Sequence, residues 1–203
     1  MLITVFTPTF NRAYIIDKLY KSLQKQTFRD FEWIIIDDGS TDNTSDVISS
    51  FQQDNNDFVI NYYHQKNNGK CSAINHALDL AHGKLFLCID SDDYLTDDAL
   101  EKIAKWQQSI AGKKEYCGVC GNLGTASNIT PNSTFSELYC DGTFFDRYSI
   151  FDGERAYAFY TDIHRKYKYP FFEGEKFMTE AVVWNRMAAN GYKMRFYNDI
   201  ICV

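Results

Sequence analysis

Proline is scarce in this 203-residue chain, with three in all, and no stretch is compositionally biased, so collagen-like and disordered classes are excluded. Basic residues are outnumbered, 21 against 27 acidic, and no Lys/Arg cluster is dense enough to form a basic face. A nucleic-acid partner is therefore not expected. Long apolar runs are also missing. Leu85–Ile89 is strand-sized, far short of the ~20 residues that cross a bilayer, and Met1–Pro8 lacks the basic flank and apolar core of a signal peptide. The chain reads as cytoplasmic. There is no GxGxxG after the first apolar run, no GxxxxGK[ST], no GxSxG and no HExxH, so dinucleotide, P-loop, hydrolase-elbow and zincin chemistry lack their signatures. The four His (64, 76, 82, 164) have no ligand spacing and read as structural or solvated. The six Cys are scattered and read as reduced, mostly buried thiols. Cys117-Gly-Val-Cys120 is a lone CxxC best explained by packing.

What is present is a regular alternation. Leu2–Thr7, Phe31–Ile36, Val59–Tyr63 and Leu85–Ile89 read as strands. Between them, Ile15, Leu19 and Leu23 mark one helix. A second spans roughly 43–52, capped by Ser40 or Asp42. A third carries Ala73, Ile74, Ala77, Leu78 and Ala81 and ends at Gly83. Thr96 is expected to cap a fourth helix whose first turn holds Asp97 and Asp98, acidic residues that suit a helix N-terminus. This order predicts an α/β fold with a mostly parallel, doubly wound sheet and helices on both faces. The expected organisation is one domain over 1–203, with 1–110 the ligand-binding half and 111–203 looser. In the second half, Tyr116–Gly121 reads as a strand, 122–175 as irregular and aromatic-rich, Phe177–Ala189 as a helix and Lys193–Tyr197 as a strand. The apolar end Ile200–Val203 reads as a C-terminal truncation.

Ligands of such sheets bind beyond the carboxyl ends of the strands. Three polar clusters lie there: Thr7-Pro8-Thr9, Asp37-Asp38-Gly39-Ser40 and Asp90-Ser91-Asp92-Asp93. Carboxylates crowded at a strand end repel one another unless a cation lies between them, and hard oxygen ligands suit Mg²⁺ or Mn²⁺. Asn67-Asn68-Gly69-Lys70 places backbone donors and an ammonium at a helix start, a perch for a pyrophosphate.

Together, Ile3–Arg12, Phe31–Asp42, Asn67–Lys70 with Ala73-Ile74-Asn75, and Asp90–Leu95 resemble the inverting glycosyltransferases of family 2, which have the GT-A nucleotide-sugar fold. The resemblance covers about 1–105 strongly and weakens past 110, except at Glu173–Glu180. It implies that Thr7, Pro8, Thr9, Arg12 and Asp38 line a nucleotide pocket, most readily for a UDP-sugar. Gly69 and Lys70 would lie near the base or phosphates. Asp90, Ser91 and Asp92 would face the ribose and a divalent metal (Mn²⁺ or Mg²⁺) held by Asp90 and Asp92, with Asp93 behind them. The family's base is commonly an Asp four residues before a Trp. Here Glu180 stands four before Trp184, with Glu173 and Glu175 as competitors. The implied reaction is a single displacement in which the base deprotonates an acceptor hydroxyl. The metal held by Asp90 and Asp92, with the Lys/Arg groups, neutralises charge developing on the leaving diphosphate. A glycan or lipid-linked acceptor in bacterial surface polysaccharide synthesis is the implied setting, with peripheral contact at the inner face of the plasma membrane. The aromatic and basic stretch Tyr157–Phe172 is expected to form a lid on the acceptor side.

Two other classes compete. Leu85–Leu95 also matches part of the haloacid-dehalogenase phosphatase pattern, although Tyr94 misplaces an expected residue. A non-catalytic nucleotide-sugar or glycan-binding module on the same fold is the second.

Overall fold

The computed structural model describes residues 1–54, 56–125, 129–148, 152–172 and 174–203. The first half follows the predicted alternation: β1 (Ile3–Thr9), α1 (Asp17–Gln24), β2 (Phe31–Asp37), α2 (Thr44–Gln53), β3 (Val59–His64), α3 (Lys70–Leu80), β4 (Leu85–Cys88) and α4 (Ala99–Ser109). β2 is buried at every position, because it lies between β1 and β3 with helices above and below, as its unbroken apolar run requires. α1 turns Leu19, Tyr20 and Leu23 inward, at the spacing that puts them on one helix face.

The second half is more ordered than its sequence suggests. β5 (Tyr116–Leu123), β6 (Tyr139–Gly142), β7 (Arg155–Tyr160), a short helix α5 (Thr161–His164), α6 (Ala181–Ala189) and β8 (Lys193–Cys202) complete one sheet in the order β3-β2-β1-β4-β7-β5-β8-β6. β1–β2, β1–β4, β2–β3 and β5–β8 run parallel. β7 enters antiparallel between β4 and β5, and β6 runs antiparallel to β8. Two apolar clusters cover the faces. One holds Trp33, Leu19, Ile103 and Trp106, and the other holds Phe6, Phe86, Ile74 and Phe196.

Several local expectations are corrected. Gly83 does not end α3, which stops at Leu80. A Cβ at Gly83 would lie 2.3 Å from Thr4 N, so this glycine is required by close backbone packing against β1. The carbonyls at the end of α3 are closed instead by Arg165, whose guanidinium donates to Leu78 O at 2.7 Å and to Ala81 O. α4 starts at Ala99 behind Asp98, and Thr96 donates to the Asp98 carboxylate at 3.1 Å. α6 starts at Ala181, four residues later than its apolar pattern suggests.

The expected lid over 157–172 is likewise corrected. Tyr157 and Phe159 belong to β7. Tyr169 is buried, and Lys168 Nζ donates to Asn75 O at 3.1 Å. The stretch therefore fastens β7 to α3.

Candidate active site

Parallel pairing brings the ends of β1 and β2 together, with Thr9 opposite Asp37. The two strand-2 aspartates build this edge. Asp37 is buried and accepts from Ser40 N at 2.8 Å and Tyr62 Oη at 2.6 Å. Asp38 Oδ1 accepts from Gln65 Nε2 at 2.8 Å and Asn68 N at 2.9 Å, while its Oδ2 accepts from Gly69 N at 2.7 Å. Its carboxylate thus fixes the loop that leads into α3. Thr7 Oγ1 accepts from Trp33 Nε1 at 3.0 Å, and Pro8 is half-buried beside it. Thr9 Oγ1 is buried with no hydrogen-bond partner among the described residues, an arrangement that leaves a polar atom to be satisfied by a ligand or water. Asn11, which the sequence reading did not single out, has φ +54. Its side chain accepts from Thr41 N at 2.8 Å and Asp42 N at 3.3 Å, tying the two loops together.

The chemistry converges on the start of α3. Lys70 Nζ lies 2.7 Å from Asp90 Oδ1, 2.9 Å from Asp90 Oδ2 and 2.7 Å from Glu180 Oε1. One ammonium therefore joins the end of β4 to the residue that opens α6. Burial disfavours the Lys70 charge, but the neighbouring Cys88, Asp90 and Glu180 outweigh it and raise its pKa above the ordinary lysine value. Gly69 makes the approach possible. It has φ +87, and a Cβ there would lie 2.0 Å from Lys176 O. Cys71 Sγ donates to Met178 O at 3.3 Å, so three consecutive residues of the α3 start hold the segment before Glu180.

These groups border a cavity of about 450 Å³. Its walls include Cys88, Asp90, Asp93, Glu154, Tyr157 and Trp184. Arg147 stacks over the Trp184 ring at 5.5 Å. Arg147, Asp152 and Glu154 were not legible as site residues, because they reach the cavity only through the pairing of β7 with β4. Burial, with the charges of Asp90, Asp92 and Glu154, pushes the Asp93 carboxyl up to about 6. At the inner end His164 packs against Phe86 and Phe159, and its Nδ1 has no partner among the described residues. Burial, reinforced by Lys168, pushes its imidazole down to about 3, so it is neutral.

The remaining predicted residues are spread around this centre. Ser91 is buried. Asp92 is half-exposed, 3.8 Å from Arg12, which also donates to Tyr14 Oη at 2.7 Å. Glu175 accepts from Phe177 N at 2.9 Å on its own exposed loop, and Glu173 lies outside the described residues. Among the described residues no three His, Cys, Asp or Glu side chains converge on one point. Asp90 and Asp92 nevertheless suit Mg²⁺ or Mn²⁺, since such ions are held by one or two carboxylates together with substrate phosphates. Asp90 Oδ1 has the charge of Lys70 nearby but no aligned donor, so it retains a lone pair for a ligand.

Residues 4–197 match the family model for glycosyl transferase family 2. The chain belongs to that family. Its sheet and helices form the GT-A α/β arrangement, and the match runs through the Asp90 segment, which removes the phosphatase alternative. A relative, the GalNAc(5)-diNAcBac-PP-undecaprenol beta-1,3-glucosyltransferase of Campylobacter jejuni, is 36% identical over 128 residues, covering 60% of this chain and 40% of that protein. Among solved structures, S. aureus TarS 1–349 in complex with UDP superposes with a TM-score of 0.81 at 22% identity, covering 100% of this chain and 60% of that one. The mannosyltransferase PcManGT from Pyrobaculum calidifontis, in complex with GDP-Man and Mn²⁺, gives 0.71 at 22% identity, covering 99% and 56%. The chain spans 17–40% of the length of the first curated relatives that it matches. Among the described residues, no helix is long and apolar enough to cross a membrane.

Proposed function

We propose that this chain is a single catalytic domain of an inverting glycosyltransferase that moves a sugar from a UDP-sugar to a hydroxyl of a glycan or lipid-linked acceptor. The observation that carries the reading is the bridge made by Lys70 between Asp90 and Glu180. It puts a cation, the β4 carboxylates and a separate carboxylate around one cavity. The first half takes the nucleotide. The unsatisfied Thr9 Oγ1 is available to the base or ribose, and the loop held by Asp38 presents the start of α3 and Lys70 to the diphosphate. Thr7, Pro8 and Arg12 frame that edge, and Gly69 lets the chain approach closely. Asp90 and Asp92 would hold a divalent ion, which supplies positive charge toward the departing diphosphate.

Glu180 is the base. It opens α6 with a partly buried carboxylate that borders the cavity and touches Lys70 at 2.7 Å, so it can take the proton of an acceptor hydroxyl as that oxygen attacks the anomeric carbon. Attack opposite the leaving diphosphate inverts the centre in one displacement. The UDP-bound neighbour and the undecaprenol-linked relative support a UDP-sugar donor and a lipid-linked glycan acceptor in bacterial polysaccharide assembly. Such an acceptor places the chain at the cytoplasmic face of the plasma membrane.

The test is calorimetric titration of UDP, GDP, dTDP and CMP, with and without Mn²⁺, on wild type and Asp92→Asn, followed by turnover of UDP-sugars by Glu180→Gln. The expected result is metal-enhanced UDP binding that weakens in Asp92→Asn. Glu180→Gln should retain UDP binding and lose about 10²–10⁴ in turnover. Folded protein that binds none of the nucleotides would overturn the proposal.

A further inference from the structure

The segment ahead of Glu180 has two unlike sides. Its inner side is fastened to α3. Asn75 exchanges hydrogen bonds with the Tyr169 backbone at 2.9 and 3.0 Å. Lys176 O abuts Gly69, and Met178 O accepts from Cys71. Its outer side carries Phe171, Phe172 and Phe177, which are 64%, 58% and 84% exposed. Three phenylalanines this exposed within seven positions are unusual for a soluble surface that has no partner. Flexible loop composition does not account for them either, because the backbone on both sides is held against a helix.

Charge indicates what covers this surface. The chain as a whole is acidic, 21 basic residues against 27 acidic, yet residues 165–186 reverse the balance with five basic against three acidic. Lys166 and Lys176 are exposed. Arg165 and Lys168 turn toward α3, donating to its carbonyls and pairing with Asp162 and Asp79, so the outward positive charge is that of Lys166, Lys176 and the exposed Arg186, set against Glu175. Exposed aromatic rings set in a locally positive patch match a bilayer surface, where the rings enter the acyl boundary and the cations face anionic headgroups. A protein partner or second copy would also bury the rings, but neither calls for the reversal of charge.

We propose that Phe171, Phe172 and Phe177, with Lys166 and Lys176, form a docking edge for an anionic phospholipid bilayer. This deepens the transferase reading and rests on it only for its consequence. The edge leads directly to Glu180, so docking places the cavity mouth where a lipid-linked hydroxyl arrives. The seating itself needs no substrate.

The experiment is co-sedimentation of the 203-residue chain with vesicles of phosphatidylcholine alone and of phosphatidylcholine containing about one third phosphatidylglycerol. Wild type, Phe171→Ser/Phe172→Ser/Phe177→Ser and Lys166→Glu/Lys176→Glu are compared, with UDP titration of each as an independent check. Wild type should bind the anionic vesicles, release with added salt and bind phosphatidylcholine alone at least tenfold more weakly. Each variant should lose at least tenfold in partitioning while its UDP response stays that of wild type. Failure of wild type to bind, or equal binding by the phenylalanine variant, overturns the docking edge and leaves the transferase reading standing. So does a vesicle-independent dimer that the phenylalanine variant dissolves. Vesicle binding without a UDP response overturns the transferase reading alone.

Discussion

Lys70→Met tests the centre of the site. The substitution keeps the side-chain stem and removes an ammonium that contacts three carboxylate oxygens at 2.7–2.9 Å. Left behind are the carboxylates of Asp90 and Glu180, which shared one ammonium at the edge of the cavity and now repel each other. Breaking a fully buried pair costs about 3–5 kcal/mol, while an exposed pair is worth about 0.2–1 kcal/mol. The side chains of Lys70, Asp90 and Glu180 are 38%, 43% and 27% exposed, so solvent screens much of the attraction. A loss of about 1–2 kcal/mol is expected, which for a chain of this size lowers Tm by roughly 2–8 °C. The sign of the pH dependence follows from the direction of the Lys70 shift. Its pKa is raised in the fold, so its contribution is fully present below the unfolded lysine value of about 10.4 and lost only above it. The gap between wild type and variant should therefore be the same at pH 7 and pH 9. Removing one charge-assisted hydrogen bond to a phosphate should weaken UDP binding by about 10–100-fold. Thermal unfolding, chemical denaturation at the two pH values and calorimetry with UDP measure both arms. A Tm within about 1 °C of wild type, with UDP affinity unchanged, would refute the bridging role of Lys70.

Three further outcomes are expected. His164 is neutral in the fold and charged in the unfolded chain below about pH 6.5, so wild type should lose stability as pH falls, by about 2 kcal/mol from this group at pH 5. His164→Phe should flatten that acid limb in denaturation curves, and an unchanged slope would contradict the assignment. Asp93 has its carboxyl raised to about 6, so its ionisation opposes folding increasingly from about pH 4 to 6 and fully above. Asp93→Asn should stabilise by about 1–2 kcal/mol at pH 7 after discounting for solvent and little at pH 4, and equal effects at both values would sink that account. Gly69→Ala puts a Cβ against Lys176 O at positive φ. It should displace the segment before Glu180 and cost about 2 kcal/mol, with hydrogen exchange rising over 174–180; unchanged exchange there would mean that the glycine is dispensable.

The local sequence determined the first half of the fold and most of the candidate site. Apolar runs with period two or none gave β1 to β4, helical spacing gave α1 to α4, and the carboxyl-end rule put Thr9, Asp38, Lys70 and Asp90 on one edge, because parallel strands joined by helices all end on the same side. Tertiary structure decided what no local pattern encodes. Glu32 interrupts the apolar run of β2. It is buried there because Thr4 Oγ1 at 2.7 Å and His82 N at 2.8 Å, from β1 and the loop before β4, come to its carboxylate. β7 inserts between β4 and β5 through antiparallel pairing with residues about 70 and 40 positions away, and it brings Glu154 and Tyr157 to the cavity. The meeting of Lys70 with Glu180, 110 positions apart, likewise depends on a glycine that admits the passing carbonyl of Lys176. Spacing along a chain fixes which face a side chain takes, but the partner it meets on that face is set by how distant strands pack.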